Sequence, residues 1–195
     1  MKYRSIFAIL TALALVWVPA ASAATYAVDK DHTAVSFKIR HLFSKVQGQF
    51  TDFDGVIEYE PGKPETWTAQ GSIRTASIDT NVEGRDKHLR GADFFDVEKY
   101  PSIDFKTLKV LESSDTAAKL EGEFTMHGVT KPVTLDVEIH GVGSDPWGNV
   151  RAGFTVSTKI DRKDFGLNWN QTLETGGVLV GDEVEILLEV EGLRK

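Results

Sequence analysis

Eight stretches of this chain alternate apolar and polar side chains with a period of two, the pattern of strands that bury one face and wet the other. Val35, Phe37 and Ile39 alternate with Ser36, Lys38 and Arg40 in the first. Val46, Gly48 and Phe50 open the second on even positions, but Phe53, Gly55, Ile57 and Tyr59 continue it on odd ones. A parity switch within one strand needs an extra residue, so a bulge is expected near Thr51 and Asp52. Trp67, Ala69, Gly71 and Ile73 form the third strand; Ile103 and Phe105, then Leu108 and Val110, form the fourth, again with a slip of parity. Leu120, Gly122, Phe124 and Met126 make the fifth, and Val133, Leu135, Val137 and Ile139 the sixth, with Gly128 and Pro132 expected to bracket the turn between them. Ala152, Phe154, Val156 and Ile160 supply the seventh, and Val184, Ile186, Leu188 and Val190 the eighth.

Short turns between successive strands favour antiparallel pairing, and eight strands with one wet face suit a small closed barrel. The expected fold is all-β, an eight-stranded antiparallel barrel in one domain. The one long interruption falls at about residues 80–100. There Thr80 or Asn81 can cap a short helix through Arg90, and Asp93 a further turn through Phe95 before Pro101.

The ends and the composition change the setting rather than the fold. Lys2 and Arg4 precede an apolar run from Ile6 to Val18, Pro19 breaks it, and Ala21-Ser22-Ala23 offers a small-residue cleavage site. Residues 1–23 are therefore expected to be a signal peptide cleaved before Ala24, leaving a barrel domain over 24–195; an uncleaved N-terminal anchor is the alternative. The run is short for a membrane span of about 20 residues, and the mature protein is expected in the periplasm with no span of its own. Loss of Lys2 and Arg4 takes the net charge from −7 to −9. Such a chain repels phosphate backbones, so nucleic acid is not an expected partner. With no cysteine, stability must come from burial and sheet closure.

Candidate chemistry is sparse. His32, His41, His88, His127 and His140 include no two-histidine ligand spacing on one element, and no metal site is expected from them. No nucleophile elbow or phosphate-cradling glycine loop occurs. In the insertion, Arg85, Asp86, Lys87, His88 and Arg90 read either as a clamp for a polar head group or as a surface helix with an Asp86 to Arg90 ion pair. Phe94, Phe95, Val97 and Tyr100 read as the plug that seats the insertion. The small residues Ala69, Gly71, Gly122 and Ala152 share the inward parity of their strands, so they either leave room in a hollow interior or mark bends needed for closure.

Four blocks then carry a resemblance. They are Asp31-His32-Thr33-Ala34-Val35-Ser36-Phe37-Lys38-Ile39-Arg40-His41; Arg85-Asp86-Lys87-His88-Leu89-Arg90 with Asp93-Phe94-Phe95-Asp96-Val97 and Tyr100-Pro101; Met126-His127-Gly128-Val129-Thr130-Lys131-Pro132-Val133; and Ile160-Asp161-Arg162-Lys163-Asp164-Phe165-Gly166. Together, in this order from about Tyr26 to the C-terminus, they resemble the YceI-like polyisoprenoid-binding family. The Met126 block departs slightly from the family's usual Leu-Thr-Ile-x-Gly form. The resemblance implies a lipocalin-like barrel, exported, that holds a long isoprenoid or related amphiphilic lipid such as a quinone, with no other cofactor and no catalytic residue to carry over.

On that reading Phe37, Phe50, Ile57, Ile73, Phe105, Phe124, Met126, Phe154 and Ile186 line the space for the tail. Arg85, His88, Arg162, Phe165, Asn168 and Trp169 stand at its mouth. Storage, transport or a stress response would follow. Two rivals stay open: an enzyme acting on such a lipid through Asp86 and His88, and a protein-interaction module whose barrel is filled. A homodimer is left open as well.

Overall fold

The alternation becomes antiparallel ladder wherever it was expected. The structure, a computed structural model, describes residues 23–174 and 176–195; the leader expected over residues 1–23 lies, but for Ala23, outside the described residues. The strands are β1 (Ala24–Val28), β2 (Ala34–His41), β3 (Ser44–Phe50), β4 (Phe53–Tyr59), β5 (Thr68–Arg74) and β6 (Ile78–Asp79). Helix α1 (Glu83–Arg90) follows, then β7 (Ser102–Ser113), β8 (Ala117–Met126), β9 (Val129–Ser144), β10 (Val150–Asp161) and β11 (Val180–Arg194). The order β1-β4-β5-β7-β8-β9-β10-β11 closes into a ring because β11 returns to β1, with Tyr26 opposite Arg194. This is a closed barrel of eight antiparallel strands.

The remaining strands extend the same walls. β1 and β2 run end to end beside β11, β3 and β4 form the next wall, and β5 and β6 the one after. The breaks within the second and third of these walls lie against each other: Thr51 donates its N–H to the carbonyl of Ser77 at 3.2 Å, and Arg74 to that of Asp52 at 2.9 Å. The parity switch at Thr51 and Asp52 is thus a strand break matched by one in the neighbouring wall, where a bulge in a continuous strand was expected. A single bulge bends one strand, whereas matched breaks turn the sheet as a unit. β6 pairs with β3 over only two residues, Gln49 with Asp79 and Phe50 with Ile78. No strand lies on its other side among the described residues; there α1 and residues 91–100 complete the wall.

Other details follow the sequence or correct it. The slip in the fourth strand is real, since the β7–β8 ladder skips a residue between Thr107 and Lys109. β1 had no counterpart in the alternation, yet its Tyr26 is buried. The turn between β8 and β9 is His127 and Gly128, with φ of 53° and 75°, and Pro132 is not part of it. Pro132 sits inside β9 opposite Glu123, beyond the end of the β9–β10 ladder at Asp136 and Ser157, where a missing N–H costs nothing. Helix α1 starts one or two residues later than a cap at Asn81 or Thr80 would place it: its N-cap is Val82, with no side-chain hydrogen bond. Residues 92–95 form turns rather than a capped helical segment, with Phe95 N–H on the carbonyl of Leu89.

The buried side chains fall into two groups rather than one. Val35, Phe50, Phe53, Ile78, Ile103, Met126, Ile160, Phe165 and Leu167 form one, against which Leu89 and Phe95 of the insertion pack. Tyr26, Tyr59, Trp67, Ala118, Ile139, Ala152 and Phe154 form the other. The space between them is where the site lies.

Candidate functional site

The inward faces of the strands enclose a cavity of about 480 Å³. Phe37, Phe50, Ile57, Ile73, Phe105, Phe124, Met126, Phe154 and Ile186, the nine side chains expected from inward parity, all line it. So do Leu135, Val137 and Leu188 from the same alternation, which the sequence reading did not single out as contacts. Many of these, among them Phe37, Ile57, Leu135 and Ile186, face inward yet are only half-buried. Their accessible surface therefore opens on the cavity, and the barrel is hollow where a packed interior would leave them no exposure.

Two of the small residues do not make this space. The ring of Phe105 lies over Gly122, where a Cβ would stand 2.3 Å from it, and Gly122 is not on the cavity wall. Ala152 is packed into the second buried group and does not reach the cavity. Gly71, opposite Gly55, and Ala69 do line it. The same aromatic-over-glycine contact recurs where Phe37 covers Gly48, its cross-strand partner.

At one end the cavity reaches the insertion. Arg85, His88, Leu89, Phe94 and Phe95 line it there, with His41, Thr80 and Trp169 from other elements. Phe95 meets Phe50 edge-on at 5.8 Å, and Phe94 packs against both His88 and Trp169, at 5.0 and 5.1 Å between ring centroids. Tyr100 packs against His127 at 4.3 Å. The aromatic residues of the insertion thus seat it as expected, and Phe94 and Phe95 form cavity wall as well.

The charged residues of α1 are committed differently from either reading. Arg90 donates to the carbonyls of Ala76 and Ile78 at 2.8 and 2.6 Å and makes no pair with Asp86. Asp86, buried, accepts from the Thr80 N–H and hydroxyl. Arg85 donates through Nε to Thr80 Oγ1 at 2.7 Å and through Nη2 to the Thr80 carbonyl at 2.8 Å. Thr80 is therefore the knot that fixes α1 to β6. His88 is exposed, its Nε2 3.0 Å from Asp93 Oδ2. Asp86 and His88, the pair weighed as acid and base, thus have separate partners.

Three further expectations meet the structure here. Arg162 does line the cavity but is buried, donating to the carbonyls of Gly181 and Leu167 and lying 3.3 Å from Asp182; burial pushes its guanidinium pKa down. Phe165 is not on the cavity wall but in the first buried group, edge-on to Phe124 at 5.4 Å. Asn168 is exposed and does not reach the cavity. Not foreseen from the sequence is the entry to β11: Leu179, just before it, and Val180, its first residue, line the cavity, and the Leu179 carbonyl accepts from Leu42 N–H at 2.9 Å. No periodicity marks that stretch.

Of the histidines, His32 does gather with Asp29 and Glu191 at metal-ligand separations. The guanidinium of Arg151 already sits on both carboxylates, 2.6 Å from Asp29 and 2.5 Å from Glu191, and also holds Asp145.

These features define a class: a closed antiparallel barrel with an apolar interior cavity and a mouth covered by an aromatic-rich insertion. The chain belongs to the YceI-like domain family, whose model matches residues 26–192. It is similar to a UPF0312 protein of Pseudomonas aeruginosa, 39% identical over 198 residues that cover all of both chains. Among solved structures it is similar to a Campylobacter jejuni YceI protein, 34% identical over 81% of this chain and 91% of that one, with a TM-score of 0.69. A polyisoprenoid-binding domain from Saccharophagus degradans shares the fold at 14% identity, covering 89% and 99% of the two chains with a TM-score of 0.64. No helix among the described residues is long and apolar enough to cross a membrane.

Proposed function

We propose that this protein is an exported carrier that holds the tail of a long isoprenoid or similar amphiphilic lipid inside its barrel, with the head group at the mouth. The observation that carries this reading is the half-buried state of inward-facing apolar side chains around a cavity of about 480 Å³. Each methylene withdrawn from water contributes about 0.8 kcal/mol, so a prenyl tail gains several kilocalories per mole from such a wall and would otherwise have to cross water exposed. The name of the Saccharophagus degradans domain supports the same ligand class.

Polar recognition in this reading falls to few groups. His88 and Trp169 stand together at the mouth, ring centroids 4.9 Å apart; the His88 Nε2 is engaged by Asp93, so the indole N–H of Trp169 is the donor a quinone carbonyl or phosphate oxygen would meet. Arg85 has spent Nε and Nη2 on Thr80, which leaves Nη1 for a ligand. Cleavage before Ala24 and release into the periplasm complete the proposal. The deciding experiment is mass spectrometry of lipids extracted from protein purified natively from its own compartment. A stoichiometric prenyl lipid is the expected result; protein that is folded, lipid-free and unable to take up a prenyl quinone from detergent overturns it.

A further inference from the structure

We infer that the mouth end of the barrel docks on anionic lipid bilayers through the tip of the β2–β3 hairpin. This inference rests on the carrier reading for its purpose, though not for its evidence. Phe43, at the tip, is 103% exposed, a position where a large apolar ring gains nothing from the folded chain. It lies two residues from His41, which lines the cavity. Val82 and Val178 are also exposed, and stand two and one residues from the lining residues Gly84 and Leu179. Three exposed apolar side chains therefore rim the opening itself.

The charge behind Phe43, though not behind Val82, which adjoins the exposed Glu83, has the sign a bilayer would require. From Thr33 to Thr51 the chain contains Lys38, Arg40 and Lys45 and no Asp or Glu, within a protein of net charge −7. Arg40 and Lys45 face each other directly across the hairpin, an arrangement that destabilises an isolated sheet. Lys45 is relieved by Glu185 at 2.6 Å, while Arg40 has no carboxylate partner among the described residues. An anionic surface supplies one. The acidic remainder of the molecule is repelled by the same surface, so the field both attracts the tip and turns the mouth toward the membrane.

The opposite end offers a contrast. Trp147 is 82% exposed there, but the nearby Arg151 is spent on Asp29, Asp145 and Glu191, and no cavity-lining residue lies within two positions of Trp147. The tip therefore fits a bilayer better than it fits a second copy of the chain, since like-charged hairpins would repel each other.

The test is co-sedimentation of the purified exported protein with vesicles of phosphatidylethanolamine and phosphatidylglycerol, against vesicles of phosphatidylcholine alone. Binding to the anionic vesicles is expected, weakened about tenfold by Phe43→Ser, as loss of one inserted aromatic side chain implies. Arg40→Glu should remove the preference for anionic lipid, and Trp147→Ser should change nothing. Wild-type protein that ignores the vesicles, a Phe43→Ser variant that binds as well as wild type, or loss of binding through Trp147→Ser overturns the proposal. So does a dimer in analytical ultracentrifugation that Phe43→Ser dissociates. Lipid extraction from the same preparations separates the two readings. Lipid-loaded protein that ignores vesicles overturns docking alone, and Phe43-dependent docking by protein that never carries lipid upholds docking and overturns the carrier.

Discussion

Arginine does structural work in this molecule at Arg162, Arg85 and Arg151, and at the first two sequence alone invites a binding role. Arg162 is 3% exposed and holds the carbonyls of Gly181 and Leu167. Arg162→Met would leave both acceptors short of a donor in a dry setting, where each costs about 1–3 kcal/mol. We expect a loss of at least about 2 kcal/mol in urea unfolding, with the fraction that remains folded still carrying its ligand. Arg85→Ala should likewise lower stability, by about 1 kcal/mol, because it unties Thr80; His88→Ala should not, and a drop in ligand retention by His88→Ala alone would mark the head-group contact. At Arg151 the hydrogen bond to Asp29 pushes that carboxyl down from 3.8 to about 2. The depressed value means the folded state favours the ionised form, so the contribution is whole above pH about 4 and is lost as pH falls through about 2. Comparing the unfolding midpoints of wild type and Asp29→Asn between pH 6 and pH 2 checks this: the gap should be constant down to about pH 5 and close on further acidification.

At the scale of elements, most of the barrel was legible because its inward and outward faces see different media. The eight alternating runs each became ladder, and both parity slips fell where the backbone departs from regular pairing. What escaped has physical causes. β1 is five residues, Ala24–Val28, too short for a period-two pattern to stand out, and its place is set by the closing contact with β11. Pro132 reads as a turn residue until one knows that the neighbouring ladder has already ended. Arg85 and Asp86 of α1 are bonded to a residue, Thr80, that helical spacing does not relate to them. Phe165 and Asn168 come from a segment without periodicity, where parity could not tell wall from surface. Gly122 looked like spare room, but room beside a strand glycine is open to any ring nearby, and Phe105 takes it. Gly122→Leu should therefore destabilise by about 1–3 kcal/mol through overpacking, whereas Ala69→Phe, on the cavity wall, should cut the lipid carried per folded molecule with a small change in melting temperature. Equal lipid loads in Ala69→Phe and wild type would place the ligand elsewhere.

For the whole molecule, the two buried groups and the space between them divide the labour. One seals the far end with Tyr26, Tyr59, Trp67 and Phe154; the other supports the mouth and the insertion above it. Stability then comes from the ends and the ladders, and the middle is released from packing. This is why inward residues there can stay half-exposed without loss of the fold.

The wall between β6 and β7 has a consequence for time rather than shape. β6 is held by only two residues of ladder, to β3, and on its other side no strand lies among the described residues; there aromatic packing and the Thr80 knot stand in for backbone pairing. That stretch is a seam, and local unfolding should begin there, since its opening breaks few bonds. Amide hydrogen exchange over residues 80–90 should run many times faster than in the strands β8, β9 and β10, and a bound lipid should slow the seam while leaving those strands unchanged. A tail longer than the mouth is wide could then enter sideways, through a gate that closes by burying its own rings on the cargo.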